Sequence, residues 1–262
     1  MLSLKVQDKL NIHVIGAGGT GGYAISYLAR LLAGGEHIIH VYDGDMVEAK
    51  NLKRQNFSVD DLDKNKAKAV CDQIQKTIHQ APTMVAHESY ITDKDELLVE
   101  MISDLEPDQS LVVVLAVDNV ATRRLINELV MNDLIDAQIP TIVLDSGNDN
   151  QGGQVVLYAN APVTWKPPIG EATKGMLPTM LQLFPDIDKI VDDNPGLVQN
   201  CAENAESEPQ AMMANVRNGE VIAGTIIRIL ENHKAPGNLW RSDILTGNTV
   251  CKFMGFGGLE HE

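Results

Sequence analysis

The stretch that decides the fold is 10–21, Leu10-Asn11-Ile12-His13-Val14-Ile15-Gly16-Ala17-Gly18-Gly19-Thr20-Gly21. Residues 10–16 form a short, β-branched apolar run bounded by glycine, the pattern of a buried strand. His13 inside it reads as a packed core residue. The second half fits Gly-x-Gly-x-x-Gly through Gly16, Gly18 and Gly21, with Gly19 between them. Residues 19–33 then carry a helical stripe of Ala24, Tyr27, Leu28, Leu31 and Leu32, stopped by Gly34-Gly35. Strand, glycine turn and helix in that order let backbone amides approach a phosphate at the positive end of a helix dipole.

Outward from this unit, strands and helices alternate. Residues 37–42 predict a second strand, and 63–80 a helix with Lys66 in its first turn and Val70, Ile74 and Ile78 facing inward. A strand over 84–91 and a helix over 93–105, capped by Thr92, follow. The run Leu111-Val112-Val113-Val114-Leu115-Ala116-Val117 has no polar alternation, as expected of a strand covered on both faces in a parallel sheet. A helix over 120–133, a strand over 141–144 and a later, antiparallel strand over 152–158 complete the series. This pattern predicts an α/β, Rossmann-like doubly wound sheet, mostly parallel, with later antiparallel strands. Residues 160–200 hold six prolines and little periodicity, which predicts a long irregular excursion. A helix over 208–232 and short strands near 238–254 close the chain. The expected organisation is one domain over 1–262: a nucleotide-binding core at 1–158, a crossover at 159–207 and a C-terminal helix with strands at 208–258.

With 44% hydrophobic residues but only 4% aromatic, the core of this 262-residue chain must be aliphatic. A net charge of −15 argues against non-specific binding to nucleic acid or to an anionic membrane surface, both of which need basic surface. No apolar run reaches the roughly 18 residues that would span a bilayer, and the N-terminus lacks the features of a signal peptide. Cys71, Cys201 and Cys251 are widely spaced with no Cys-x-x-Cys, which points to a reducing, cytoplasmic setting and against a disulfide framework or a structural zinc site.

The chemistry is concentrated in 41–55, Val41-Tyr42-Asp43-Gly44-Asp45-Met46-Val47-Glu48-Ala49-Lys50-Asn51-Leu52-Lys53-Arg54-Gln55. Asp43, 22 residues beyond Gly21, stands where a ribose-binding carboxylate belongs. Asp45, Asn51, Arg54, Gln55 and then Lys66 follow. An NAD-dependent oxidoreductase explains the glycines and Asp43 but gives Arg54 and Lys66 nothing to do. An enzyme splitting ATP between its α- and β-phosphates needs both cations against the charge that develops on leaving pyrophosphate. Asp118 ends another strand on the same edge of the sheet, and a carboxylate there suits a magnesium ion shared with phosphate oxygens. The plainer alternative is that Asp118 caps the helix after it.

These elements together, Gly16–Gly21, Asp43-x-Asp45, Asn51-Leu52-x-Arg54-Gln55, Lys66-Ala67, Asp118-Asn119 and Gly153-Gln154-Val155, resemble the ThiF/MoeB/ubiquitin-activating superfamily over residues 10–158. The resemblance implies adenylation of the C-terminal carboxylate of a ubiquitin-like protein or peptide, with ATP and Mg2+ as cofactors and a homodimer as the assembly. By position it puts Asp43 on the ribose, Asn51, Arg54 and Lys66 on the phosphates, Gln55 in support of that loop, and Asp118 at the magnesium. A non-catalytic scaffold of the same superfamily is the alternative. Asp145-Ser146-Gly147-Asn148, Leu177-Pro178-Thr179, Asp192-Asp193-Asn194-Pro195, Cys201 and a late helix with Asn215 are similar to the narrower ThiF-like proteins of PRTRC genetic cassettes. Cys201 stands where members with a thioester-forming cysteine carry it, but its acidic neighbours disfavour a thiolate. Three departures stand out: the missing Cys-x-x-Cys pairs, the lack of arginine in the first ten residues, and Asp63 or Lys64 in place of a glycine before the lysine segment.

Overall fold

The computed structural model describes residues 1–148, 152–189 and 212–256. After a short β1 (Leu2–Ser3), strand β2 (Lys9–Ile15) is buried from Leu10 onward and turns at Gly16 into helix α1 (Gly19–Leu31). Then come β3 (Ile38–Tyr42), α2 (Lys66–Thr77), β4 (Thr83–His87), α3 (Lys94–Ser103) and β5 (Gln109–Leu115). Helix α4 (Val120–Glu128) widens into a π turn at Leu129–Asp133 and a last turn, α5 (Leu134–Asp136). Strand β6 (Thr141–Asn148) leads into β7 (Gly152–Ala159).

Among the described residues β2 to β7, with β11 (Leu239–Asp243) and β12 (Thr249–Lys252), form an eight-stranded sheet in the order β12-β11-β7-β6-β5-β2-β3-β4. From β4 to β6 all neighbours are parallel, and from β6 to β12 all are antiparallel. The chain order reverses between β2 and β5, and the region beyond the carboxyl ends of strands at such a reversal is where doubly wound sheets bind ligands.

Local sequence explains several element ends, and in places corrects the expectation. Helix α2 starts at Lys66 because the Asn65 side chain accepts from Lys68 N at 3.1 Å. Asp63 adopts φ +62°, so it takes the left-handed conformation a glycine would have supplied before the lysine segment. Asp93, not Thr92, caps α3, because its carboxylate receives the N–H groups of Asp95 and Glu96. The α1 stripe is also displaced: Ile25 and Ala29 are buried with Ala24, Leu28 and Leu32, while Leu31 falls outside that arc and is exposed. β4 stops at His87 rather than reaching 91, and β6 continues past 144 to Asn148 because β7 pairs along its whole length.

The excursion expected over 160–200 is ordered as far as it is described. It carries β8 (Val163–Trp165), β9 (Thr173–Gly175) and a short helix α6 (Met180–Leu183). With β1 and β10 (Lys234–Ala235) these strands form a second, antiparallel sheet in the order β10-β1-β8-β9. Its pairings join Leu2 to Trp165 and Ala235, far along the chain, which no local pattern announces. Helix α7 (Met212–Asn232) lies against α1, with Gly219 so close that a Cβ there would stand 2.8 Å from Tyr23 Cβ. The proposed Cys201 and Asp192–Pro195 lie outside the described residues. Among the described residues no helix is long and apolar enough to cross a membrane.

Candidate active site

The glycine turn is shaped by what each glycine meets. Gly16 has φ +95°, and a Cβ there would stand 2.6 Å from Ala116 O. A Cβ on Gly21 would stand 1.8 Å from Gly16 O, so this glycine sets the approach of α1 to the strands. Gly18 faces the Gln55 side chain, and Gly19 faces Asn215 of α7, whose amide would be 2.3 Å from a Cβ. Gly18 caps α1 with no side-chain hydrogen bond, which leaves the first turn of the helix open to an anion.

Asp43 stands directly beside this turn. Its Oδ2 accepts from Ala17 N at 2.8 Å and its Oδ1 from Asp45 N at 2.9 Å. Burial raises its carboxyl pKa, opposed by nearby Lys66 and by those two N–H groups. Lys66 reaches back from the first turn of α2 to Asp45, Nζ to Oδ2 2.6 Å, with its own side chain only 9% exposed. Burial pushes the Asp45 pKa up, yet the hydrogen bonds from Lys66 and Tyr90 outweigh it and hold the group below its ordinary value. Tyr90 donates its hydroxyl to Asp45, and its ring covers Gly44. Asp43, Asp45 and Asp118 all lie near enough to that hydroxyl to raise its pKa, after burial itself. Three carboxylates from two strand ends therefore share one locality.

Asn119, not Asp118, caps α4, its Oδ1 accepting from Thr122 N at 2.7 Å. Asp118 is exposed at the end of β5, its carboxylate not engaged as the helix cap. Arg54 follows a 3₁₀ turn at Asn51–Lys53 and is half-buried, and among the described residues no carboxylate pairs with its guanidinium. Asn51 is buried and its Oδ1 accepts from Glu48 N at 2.8 Å, so part of that side chain closes its own loop. Gln55 Oε1 is buried without a hydrogen-bond partner among the described residues.

Three contributors were not marked for the site by sequence. Tyr90 reaches Asp45 from 45 residues away. Arg123 of α4 pairs with buried Asp145 of β6 and donates to Val117 O and Ser146 O, each at 2.6 Å, fastening the ends of β5 and β6. Burial lowers its pKa to about 10, which still leaves it charged at neutral pH. Asn215 joins the glycine turn to the rest: its Oδ1 accepts from Thr20 and Asn148, and its Nδ2 donates to Arg54 O at 3.5 Å. Asn215 and Asn148 stood out in sequence only through the narrower resemblance; Tyr90 and Arg123 carried no spacing signal at all. Burial pushes the thiols of Cys71 and Cys251 up to about 12, so neither is a thiolate at neutral pH.

The pattern of the ThiF family matches residues 3–254 of this sequence. The chain belongs to the ThiF family. It is similar to the adenylyltransferase and sulfurtransferase uba4 of Emericella nidulans, 34% identical over 126 residues, which is 48% of this chain and 24% of that protein. It is also similar to the ATP-dependent ubiquitin transferase-like protein Cap2 of Escherichia coli, 27% identical over 97 residues, 37% of this chain and 16% of that one. This ThiF-family chain thus spans about a quarter or less of the curated relatives it matches. Among solved structures, E. coli MccB with ATP has the same fold at TM-score 0.60 and 19% identity, covering 95% of this chain and 65% of MccB. PaaA matches at TM-score 0.57 and 18% identity, covering 93% of this chain and 64% of PaaA.

Proposed function

We propose that this ThiF-family chain binds ATP with Mg2+ at the β2–β5 edge and adenylates the C-terminal carboxylate of a ubiquitin-like protein or peptide. The observation that carries the reading is the grouping of Asp43, Asp45 and Lys66 beside an open helix N-terminus, with Asp118 not used as a cap. The named relatives support it: uba4 is an adenylyltransferase, and MccB has been solved with ATP and with N-formylated MccA. A placement near the ThiF-like proteins of PRTRC cassettes is supported by Asn148 and Asn215, which meet beside the glycine turn.

In this reading, Asp43 accepts from a ribose hydroxyl, as its position against Ala17 allows. The incoming carboxylate oxygen attacks the α-phosphorus, the bond to the bridging oxygen of the β-phosphate breaks, and pyrophosphate leaves with the electron pair. Arg54 and Lys66 stabilise the charge that develops, Arg54 by planar contact and Lys66 as a point charge. Asp118 suits magnesium, being an exposed oxygen donor beside other carboxylates. When bound, that ion would offset phosphate charge. No side chain here needs to act as a general base, because the nucleophile is already a carboxylate; the protein positions and polarises.

The test is ATP–pyrophosphate exchange with a ubiquitin-like protein ending in Gly-Gly as acceptor. Arg54→Ala and Asp118→Ala should each slow exchange about 100-fold or more, at least ~2.7 kcal/mol of transition-state stabilisation. Wild-type rates in both variants would overturn the assignment. ATP binding without exchange for any acceptor would favour a scaffold.

A further inference from the structure

Behind the nucleotide edge, on the face of the same strands, lies a second cluster that the adenylation reading does not use. His13 of β2 and His40 of β3 are register partners with rings stacked 4.4 Å apart and 3° from parallel. Tyr42 stacks on His87 of β4 at 4.1 Å. His40 Nδ1 and His87 Nε2 are 3.1 Å apart, and His87 Nδ1 is 2.8 Å from Glu100 Oε1 on α3. A strand covered on both faces is ordinarily filled by aliphatic residues. Three imidazoles and a carboxylate in that layer ask for a reason.

We propose that His40, His87 and Glu100 form a binding site for a divalent transition-metal ion of the zinc type. One nitrogen of each histidine and one Glu100 oxygen lie within 4.8 Å of one another. The 3.1 Å between the two nitrogens is close to the edge of a tetrahedron, about 3.3 Å for metal–nitrogen bonds of about 2.0 Å. Two imidazoles and a carboxylate are a zinc-type donor set, with a fourth position left to solvent. Without an ion, Glu100 accepts from His87 Nδ1, which leaves the His87 lone pair on Nε2 towards His40; Glu100 gives up that hydrogen bond when it ligates. His40 then donates from Nδ1 to His87, and its Nε2 is buried with no partner among the described residues. Metal binding at Nδ1 moves that proton to Nε2, so the imidazole stays neutral throughout. Asp104, whose charge is felt at His40, His87 and Glu100, adds negative potential for a cation. His87 and Glu100 are partly exposed, with side-chain exposures of 18% and 33%, which gives an entry path.

The site has a consequence for its neighbour. His87 O accepts from Asp43 N at 3.2 Å, so a metal fastening β3, β4 and α3 would stiffen the strand end that carries Asp43.

The experiment uses the full chain, stripped with a chelator and titrated with Zn2+ by calorimetry and with Co2+ by visible absorption. One equivalent should bind, with a rise in melting temperature and the absorption bands of a low-coordinate Co2+ centre. Glu100→Gln and His87→Ala, both at partly exposed positions, should weaken binding at least 10-fold while keeping the circular dichroism of the wild type. His79→Ala/His233→Ala, which removes two exposed histidines, should bind as the wild type does. No saturable binding, or binding unchanged by Glu100→Gln and His87→Ala, overturns the proposal. None of these readouts depends on ATP, so the outcome is separate from that of the exchange assay.

Discussion

Strand β3 leads to two polar clusters of opposite construction. Beyond its carboxyl end stand charges: Asp43, Asp45 and Lys66, with Arg123 and Asp145 buried further along the same edge of the sheet. On its face stand His13, His40, Tyr42 and His87, neutral and stacked, meeting one carboxylate at the rim. The edge cluster is held by ion pairs that require both partners. The face cluster is held by ring stacking and single hydrogen bonds, so each member can be altered with less consequence. Removing one partner of a buried ion pair leaves an uncompensated charge, whereas removing one neutral group leaves at most an unsatisfied donor or acceptor.

The largest effect should come from Arg123→Ala. Asp145 would keep its buried carboxylate with no cation, and the carbonyls of Val117 and Ser146 would lose a donor. Loss of one member of such a pair costs about 3–5 kcal/mol. Denaturant unfolding of the variant should show it, and a loss below ~1 kcal/mol would break the contrast between the clusters.

Lys66→Met should cost less, about 1 kcal/mol, because Asp45 is 48% exposed and solvent screens the pair. The sign with pH is fixed by Asp45. Its folded-state pKa lies below the ordinary 3.8, so its contribution is present above that value and lost as pH falls through the lower one. The deficit of Lys66→Met against wild type should therefore be full at neutral pH and shrink below about pH 4. A deficit that persists unchanged in acid would mean that the lysine stem, and not its charge, carries the effect.

The contrast also sets what the sequence could reveal. The positions of Gly16, Asp43 and Lys66 were legible because each follows a strand or opens a helix within a short, local pattern. The parallel order was legible from the apolar run at 111–117. Tyr90 and Arg123 were not, because their partners lie on other elements, and Asn215 stood out only through the narrower resemblance; Thr20 reaches it across 195 residues. Asp118 was ambiguous for a different reason: Asn119 beside it is an equally good cap, and only the backbone decides which side chain takes the role. The histidines were the least legible of all. Each looks like an incidental core residue in its own strand, and only the register of three strands stacks them.

The smallest effect should come from within the neutral cluster. His13→Phe keeps a flat ring to stack on His40 and removes the hydrogen bond between His13 Nδ1 and the Tyr42 hydroxyl, 2.8 Å. It also removes His13 Nε2, which is buried without a partner among the described residues. Tyr42 retains Glu100 as a hydrogen-bond partner. A lost hydrogen bond and a lost unsatisfied atom are each about 1 kcal/mol and opposite in sign, so the change in stability should stay within about 1 kcal/mol of zero. Chemical denaturation beside Arg123→Ala makes the comparison direct. A loss for His13→Phe as large as that for Arg123→Ala would mean that the face cluster, too, depends on every member, and that its order comes from a specific network and not from stacking.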